Sequence, residues 1–252
     1  MKRITIIFGG TFGLYHEVFN KIEDKFKCKI MRKSVYFLTT RIKDADVSFY
    51  ICNSPVRDKN YYFQKKYLQS SQWKELMPPP ANEIAKKIKK SDAILFFGYC
   101  GTFKGKKSIY VPEIFKEIFF DKSKIMEVDE SKIKVESEIK IQNILKSKLE
   151  GDNARVITSN LVLAPYHAKP ESKDKVIRIA NILSNFGDVV EKESYQIVKY
   201  FNNKIPIGVY LQSSDILTSK RHMMSHKGME TDKSKFSKNV IKSIKLALRE
   251  LK

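Results

Sequence analysis

Two carboxylates in the last third of the chain are placed to do chemistry. Glu193 follows the apolar pair Val189 and Val190 and precedes a short helical pattern whose apolar positions are Ile197, Val198 and Phe201. Asp215 follows Ser213 and Ser214 at the end of a second apolar run, Ile205 to Leu211. A carboxylate offers two acceptor oxygens and can hold two neighbouring hydroxyls, and a carboxylic acid can hand a proton to a leaving group. The competing assignment for each is structural: Glu193 could cap the helix that starts near Ser194, and Asp215 could cap whatever follows its strand.

The stretch from Asn185 to Leu217 therefore reads as strand, helix, strand. In an open α/β sheet, ligands bind in the crevice outside the carboxyl ends of the strands, and both acids are expected at that edge. Two other segments should reach the same edge. Ile4 to Phe8 is a compact apolar strand ending in Gly9, Gly10, Thr11, Phe12 and Gly13. This loop matches neither a dinucleotide-binding Gly-x-Gly-x-x-Gly nor a P-loop, so it is either a close-approach loop or a plain strand-to-helix turn. His16 and Glu17 follow it, His16 more readily as a structural residue than as a ligand. Ala93 to Phe97 is an uninterrupted apolar run, as expected of a central strand buried on both faces. It leads into Gly98, Tyr99, Cys100, Gly101, Thr102 and Phe103, read as a turn whose amides could form an anion-binding nest.

The rest of the chain supplies the frame. Strands are expected at Val35 to Thr40, Val47 to Cys52, Ser108 to Pro112 and Arg155 to Ala164. Helices are expected at Ala81 to Lys90, from Pro170 to a Gly187 cap, and from about Ser234 to Leu251. The charged segment from Phe120 to Gly151, with Ile133, Val135 and Ile139 alternating, reads as a peripheral strand and helix. Strands alternating with helices predict an α/β three-layer sandwich with a central mixed, largely parallel sheet, in a single domain spanning residues 1–252.

The chain carries 48 Lys and Arg against 28 Asp and Glu, a net charge of +20. The lysines are dispersed without long like-charge blocks, which favours a solvated basic surface over a nucleic-acid-binding tail. The best nucleic-acid candidate is Pro55 to Ser71, where Tyr61, Tyr62, Phe63 and Tyr67 interleave with Arg57, Lys59, Lys65 and Lys66. A segment packed over a pocket or against another subunit has the same composition, and that reading is preferred. Cys28, Cys52 and Cys100 suggest neither a disulfide framework nor a metal site. With no signal-peptide pattern and no long apolar span, a cytoplasmic location away from membranes is expected.

Three segments, in order, resemble the purine nucleoside phosphorylase and methylthioadenosine nucleosidase superfamily. Gly98, Tyr99, Cys100 and Gly101 stand where that family has Gly-Ser-Cys-Gly or Gly-Thr-Ala-Gly after a buried strand. Ser108 to Pro112 is similar to its Gly-Asp-Ile-Val-Val-Pro strand, and Val190, Glu191, Lys192, Glu193 and Ser194 to its Val-Glu-Met-Glu-Ser. Ser214 and Asp215 match its Ser-Asp pair. The resemblance covers most of the chain from about Ala81 onward.

What the resemblance implies is a division of labour. Glu193 would accept hydrogen bonds from ribose hydroxyls, and Asp215 would be the catalytic acid near purine N7. Lys192 replaces a methionine that packs against the sugar, and Tyr99 replaces a serine that contacts phosphate. With Cys100, Gly101 and Ser214 they make up the expected substrate-binding set. Phe96 stands where the hexameric phosphorylases have a phosphate-binding arginine, and Gly9 to Phe12 replace their Gly-Asp-Pro loop. The expectation is therefore cleavage of the N-glycosidic bond of a purine nucleoside, by water rather than phosphate. Neither metal nor cofactor is expected, phosphate as co-substrate aside, and a homo-oligomer is expected by analogy. Glu17 is the nearest carboxylate to activate the water, but it does not align with the family's glutamate. The alternative is a lapsed enzyme that binds nucleotide or nucleic acid on the same fold.

Overall fold

A computed structural model describes residues 1–10, 15–34, 36–52, 78–106, 108–120, 133–159, 170–218 and 227–250. The aromatic and basic stretch Pro55 to Ser71 lies outside the described residues, as do Thr11, Phe12 and Gly13. The strands are β1 (Lys2–Gly9), β2 (Met31–Arg32), β3 (Phe37–Ile42), β4 (Ala45–Cys52), β5 (Ala93–Thr102), β6 (Ile109–Tyr110), β7 (Ile114–Phe120), β8 (Ile133–Lys140), β9 (Arg155–Ser159), β10 (Val189–Val190) and β11 (Ile207–Ile216). The helices are α1 (His16–Phe26), α2 (Ala81–Lys87), α3 (Pro170–Leu183), α4 (Ser194–Phe201) and α5 (Lys227–Glu250).

The strands form one mixed sheet in the order β2-β3-β4-β1-β5-β10-β9-β7-β8, with β11 beside β5 and β6 beside β11. Its centre, β4-β1-β5-β11, is parallel, as the continuous apolar runs of β1 and β5 require. Its margins are antiparallel: β3 and β4 form a hairpin over Lys43, whose φ of 54° is left-handed, and β8 closes the far edge. Exposed Lys and Glu side chains line β8, which discourages further pairing at that edge. No helix among the described residues is long and apolar enough to cross a membrane.

Alternation along the central strands divides the core. Leu95 and Phe97 pack with Val18, Phe19 and Ile22 of α1 and with Phe236, Val240 and Ile244 of α5. Ile94, Phe96 and Cys100 face the other way, toward Ile84 and Ala85 of α2 and Tyr195, Ile197 and Val198 of α4. A third cluster packs Ala180 and Leu183 of α3 on Ile157, Ile118 and Leu217. Each fully buried side chain of this size contributes roughly 1.5–3 kcal/mol. The result is helix, sheet, helix, the predicted three-layer α/β sandwich.

Several expectations need correction. β5 does not break at Gly98 but continues to Thr102, so no glycine turn or anion nest forms there. Pairing with β11 through Ile216 holds those residues extended. Residues 141–150 form turns rather than a helix, α2 stops at Lys87 and α5 starts at Lys227. β7 is a strand the sequence reading passes over. The turn after β8 is tied down by Asn143, whose Nδ2 donates to the Pro112 and Val209 carbonyls (2.7 and 2.8 Å) and whose Oδ1 accepts the Val209 and Leu145 N–H groups (3.2 and 3.1 Å).

Gly187 closes α3 by donating its N–H to Leu183 O (3.2 Å). Its other requirement is space: a Cβ there would lie 2.6 Å from Ile157 Cγ2 and 2.9 Å from the Arg155 carbonyl oxygen. That carbonyl is held by the Asp188 N–H, so it cannot retreat. Gly187→Ala is expected to destabilise the fold by about 1–3 kcal/mol, read as a lower urea midpoint at unchanged m-value.

Candidate active site

The site grows out of an interruption in the pairing of β5. On one flank, β1 pairs with it from Ala93 to Phe97, and β10 takes over only at Gly101 and Thr102. Gly98, Tyr99 and Cys100 span the interval. β10 runs antiparallel to β5, so the chain leaving Val190 heads back toward the end of β1. The expected strand, helix, strand order is present, but its strands are not parallel neighbours: β10 and β11 lie on opposite flanks of β5 and run in opposite directions. A two-residue strand carries too little periodicity to reveal its direction from sequence.

The reversal brings Glu193 to the carboxyl end of β1. A Cβ on Gly9 would lie 2.9 Å from Phe96 Cζ, 3.5 Å from Glu193 Cβ and 3.6 Å from Glu193 Oε2. The bare Gly9 backbone is what admits both side chains. Val190, Gly101 and Asp215 share one rung of the sheet, Val190 on one flank of β5 and Asp215 on the other. The register of β11 slips between Ser213 and Asp215, a bulge of the kind that re-aims strand side chains near functional sites. Ser213 Oγ accepts the Ser108 N–H (2.6 Å) and Ser214 Oγ donates to Cys100 O (3.3 Å), fixing the backbone that ends in Asp215. The two acids thus leave strands on either side of Gly101, where a Cβ would meet Leu217 Cδ1 at 2.6 Å.

Glu193 is the helix-flanking residue of α4 but makes no side-chain capping bond. Glu191 does that instead. Its Oε1 accepts the Glu193 N–H (2.8 Å), and its Oε2 accepts the Ser194 N–H (2.7 Å) and the Ser194 hydroxyl. The Glu193 carboxyl is left for other partners. Burial first, then the negative charge of Glu191 and a hydrogen bond to it, push the Glu193 carboxyl well above the usual range, while Lys192 pulls the other way. Carboxyls shifted by burial and a like charge are concentrated at functional sites, though structural networks shift them too.

Three groups around it escaped the sequence reading. Tyr15, fully buried just before α1, donates its hydroxyl to the Gly9 carbonyl. Its phenol is pushed up by burial and by Tyr99, Glu193, Cys52 and Glu191. The Cys52 thiol, at the end of β4, is pushed up by burial and by the same two glutamates. Glu191, only 3% exposed, is the third. Its spacing before a short helix was the available signal; Tyr15 and Cys52 carried none.

The remaining expected residues divide. Lys192 is half-buried beside Glu193, Gly101 sits on the Asp215 rung, and Ser214 lies in the bulge just before it. The Tyr99 ring instead turns into the core, stacked on Phe236 at 4.9 Å and facing Tyr15 at 6.4 Å. Cys100 is 2% exposed and packs on the α2 and α4 side. His16 and Glu17 are exposed on α1, where Glu17 pairs with Lys21 at 2.6 Å. No group of three or more His, Cys, Asp or Glu side chains suited to a metal occurs among the described residues.

No protein-family model matches the sequence, and no curated protein matches it. Solved structures do share the fold. The 5′-methylthioadenosine/S-adenosyl homocysteine nucleosidase of Campylobacter jejuni aligns at TM-score 0.59 and 12% identity over 98% of this chain and 99% of its own. The Helicobacter pylori methylthioadenosine nucleosidase gives 0.59 and 12% over 99% and 100%. The native futalosine hydrolase of the same organism gives 0.59 and 12% over 99% and 98%. The chain therefore shares the fold of these nucleosidases and of futalosine hydrolase.

Proposed function

We propose that the protein cleaves the N-glycosidic bond of a purine nucleoside or a related compound, with water as nucleophile. Glu193 would hold the ribose diol, one hydroxyl to each oxygen, and Asp215 would protonate N7 of the departing purine. The observation that carries this reading is the Glu193 carboxyl, spared from capping by Glu191 and packed against Gly9 across the β5 interval from the Asp215 strand. Solved structures with this fold include nucleosidases, one of them from Chlamydia trachomatis bound to methylthioadenosine.

Water is favoured over phosphate by what fills the other end of the site. Phe96 is fully buried with its ring against Gly9 and Gly98, so an aromatic edge lies where the family resemblance would put the phosphorylase arginine. A phosphate there would face apolar carbon and lose its hydration without compensation. Glu17, ion-paired on the surface of α1, is a poor candidate to activate the water. A homo-oligomeric state, a cytoplasmic location and independence of metal or cofactor belong to the same proposal.

Asp215→Asn keeps the size of the side chain but removes the transferable proton. It should lower kcat by about 10²- to 10⁴-fold with KM little changed. The first test is ligand-induced stabilisation: the melting temperature with adenosine, inosine or methylthioadenosine should rise for at least one, since a ligand that binds only the folded state stabilises it. No shift from any nucleoside at millimolar concentration would speak against the proposal.

A further inference from the structure

The positive charge of the chain is not spread evenly over its described surface. Where lysines lie beside acids they pair with them, as Lys21 does with Glu17, Lys116 with Glu138, Lys146 with Glu113 and Lys199 with Glu117. At the edge of the sheet opposite Glu193, where β1 and β4 begin, Lys2, Lys25, Lys43, Lys245 and Arg249 line one cleft of about 360 Å³. They come from the start of β1, the end of α1, the turn between β3 and β4, and the last turns of α5. Asp44 is the one acid on the wall. Among the described residues none of the five cations makes an ion pair.

Local structure explains only part of this gathering. Lys25 and Arg249 stand in the last turns of α1 and α5, where a cation answers the negative end of the helix dipole. Lys2 donates through Nζ to the Leu248 carbonyl oxygen (3.2 Å), one of the acceptors that a helix end leaves open. Lys43 answers no helix end, and it holds a left-handed backbone at φ 54° that Gly or Asn adopts at lower cost. Five like charges around one hollow repel each other, and a bound anion relieves that repulsion. The floor is of another kind: Ile42 and Ala45 are buried there, with Phe26 and Leu248 half-buried beside them. A bare phosphate chain resting on those carbons would lose its hydration without compensation. The cleft therefore suits a ligand with an apolar face and a polyanionic end.

We propose that this cleft binds a nucleoside oligophosphate, with the phosphates among Lys25, Lys43, Lys245 and Arg249 and the base over Phe26 and Ile42. The apolar floor favours a nucleotide over an inorganic polyphosphate. A hollow of small-molecule size favours it over a nucleic-acid duplex, which needs a long basic stripe. Glu193 and Asp215 take no part: Glu193 stands beside Gly9, at the far end of the 8-residue strand that Lys2 begins, roughly 23 Å away along β1. The proposal is therefore independent of the nucleosidase reading.

The test is calorimetric titration of the full chain with magnesium-free ATP and with inorganic triphosphate. ATP should bind at least about tenfold more tightly than triphosphate, and its affinity should fall about tenfold or more between roughly 50 and 500 mM salt as the phosphates are screened. ATP should still bind when adenosine is saturating. Lys25→Glu combined with Lys43→Asn changes two exposed positions and places at 43 a residue that accepts the left-handed backbone; it should weaken ATP at least about tenfold. Lys86→Glu combined with Lys134→Gln removes the same charge from exposed positions on α2 and β8, and should leave ATP affinity within about twofold of wild type. No ATP binding by wild type at low salt overturns the proposal whether or not the variants fold, and so does loss of ATP binding in saturating adenosine. Equal affinity for triphosphate, or tighter binding to vesicles of an anionic phospholipid, overturns the nucleotide as ligand. Affinity undiminished in the cleft variant, or diminished equally in both variants, overturns the cleft as its place.

Discussion

Replacing Glu193 with Gln is expected to lower kcat/KM for a ribonucleoside by about 10²- to 10⁴-fold, since two charge-assisted hydrogen bonds of roughly 1.5–3 kcal/mol each are at stake. Gln keeps the shape but presents one oxygen and one NH₂, so one hydroxyl of the diol meets a donor instead of an acceptor. The loss should shrink sharply for a 2′,3′-dideoxy analogue, which offers no diol. That contrast separates ligand recognition from general damage. The same substitution should act on stability in the opposite sense. A carboxyl raised by burial and by Glu191 binds its proton more tightly in the folded chain than in the unfolded one. The stability it contributes is full below the ordinary glutamate range and is lost as pH rises through the raised midpoint. Urea unfolding at a series of pH values should show that decline in wild type and a flatter profile in Glu193→Gln.

The largest effect on folding should come from Asn143→Ala. Asn143 is 4% exposed and spends all its hydrogen-bonding capacity on backbone, joining the strand entry at Pro112, the Val209 N–H and carbonyl of β11, and the turn at Leu145. Alanine would leave the Pro112 and Val209 carbonyls and the Val209 and Leu145 N–H groups without these partners in a space built for an amide. Unsatisfied buried groups cost about 1–3 kcal/mol each, partly recovered if water enters, so a loss of about 3–5 kcal/mol is expected. Asn143→Asp should be nearly as damaging, because an acceptor replaces the donor facing two carbonyls. Chemical denaturation at neutral pH measures both. Because Val209 lies on the strand that delivers Asp215, the variants should also lose activity where they still fold.

The sheet centre was readable in the sequence because its strands are buried on both faces, and such strands are unbroken apolar runs. The amphipathic stripes of α4 and α5 were equally plain, since Ile197, Val198 and Phe201, and Phe236, Val240 and Ile244, recur at helical spacing. What escaped was set by pairing rather than by pattern. Gly98 and Gly101 look like turn residues, but they serve a strand in which Phe96 and Leu217 need the missing side chains' space. The direction of β10 depends on two residues and on which flank of β5 is vacant beyond Phe97. In the candidate site, Glu193 and Asp215 stood out as acids at strand ends, whereas the alternative of Glu193 as a cap was resolved only by the orientation of Glu191. Tyr99 was assigned from its place in a motif, and its stacking on Phe236 follows from the alternation of β5.

The account stands on one chemical claim, that the carboxyls of Glu193 and Asp215 together cleave a purine nucleoside with water. The direct measurement is chromatographic detection of free base after incubation with adenosine, inosine and methylthioadenosine, with and without phosphate, for wild type, Glu193→Gln and Asp215→Asn. Release of a purine by wild type at a rate indifferent to phosphate, and lost in both variants, is the predicted result. No base from any of these nucleosides, or release undiminished in both variants, would contradict it.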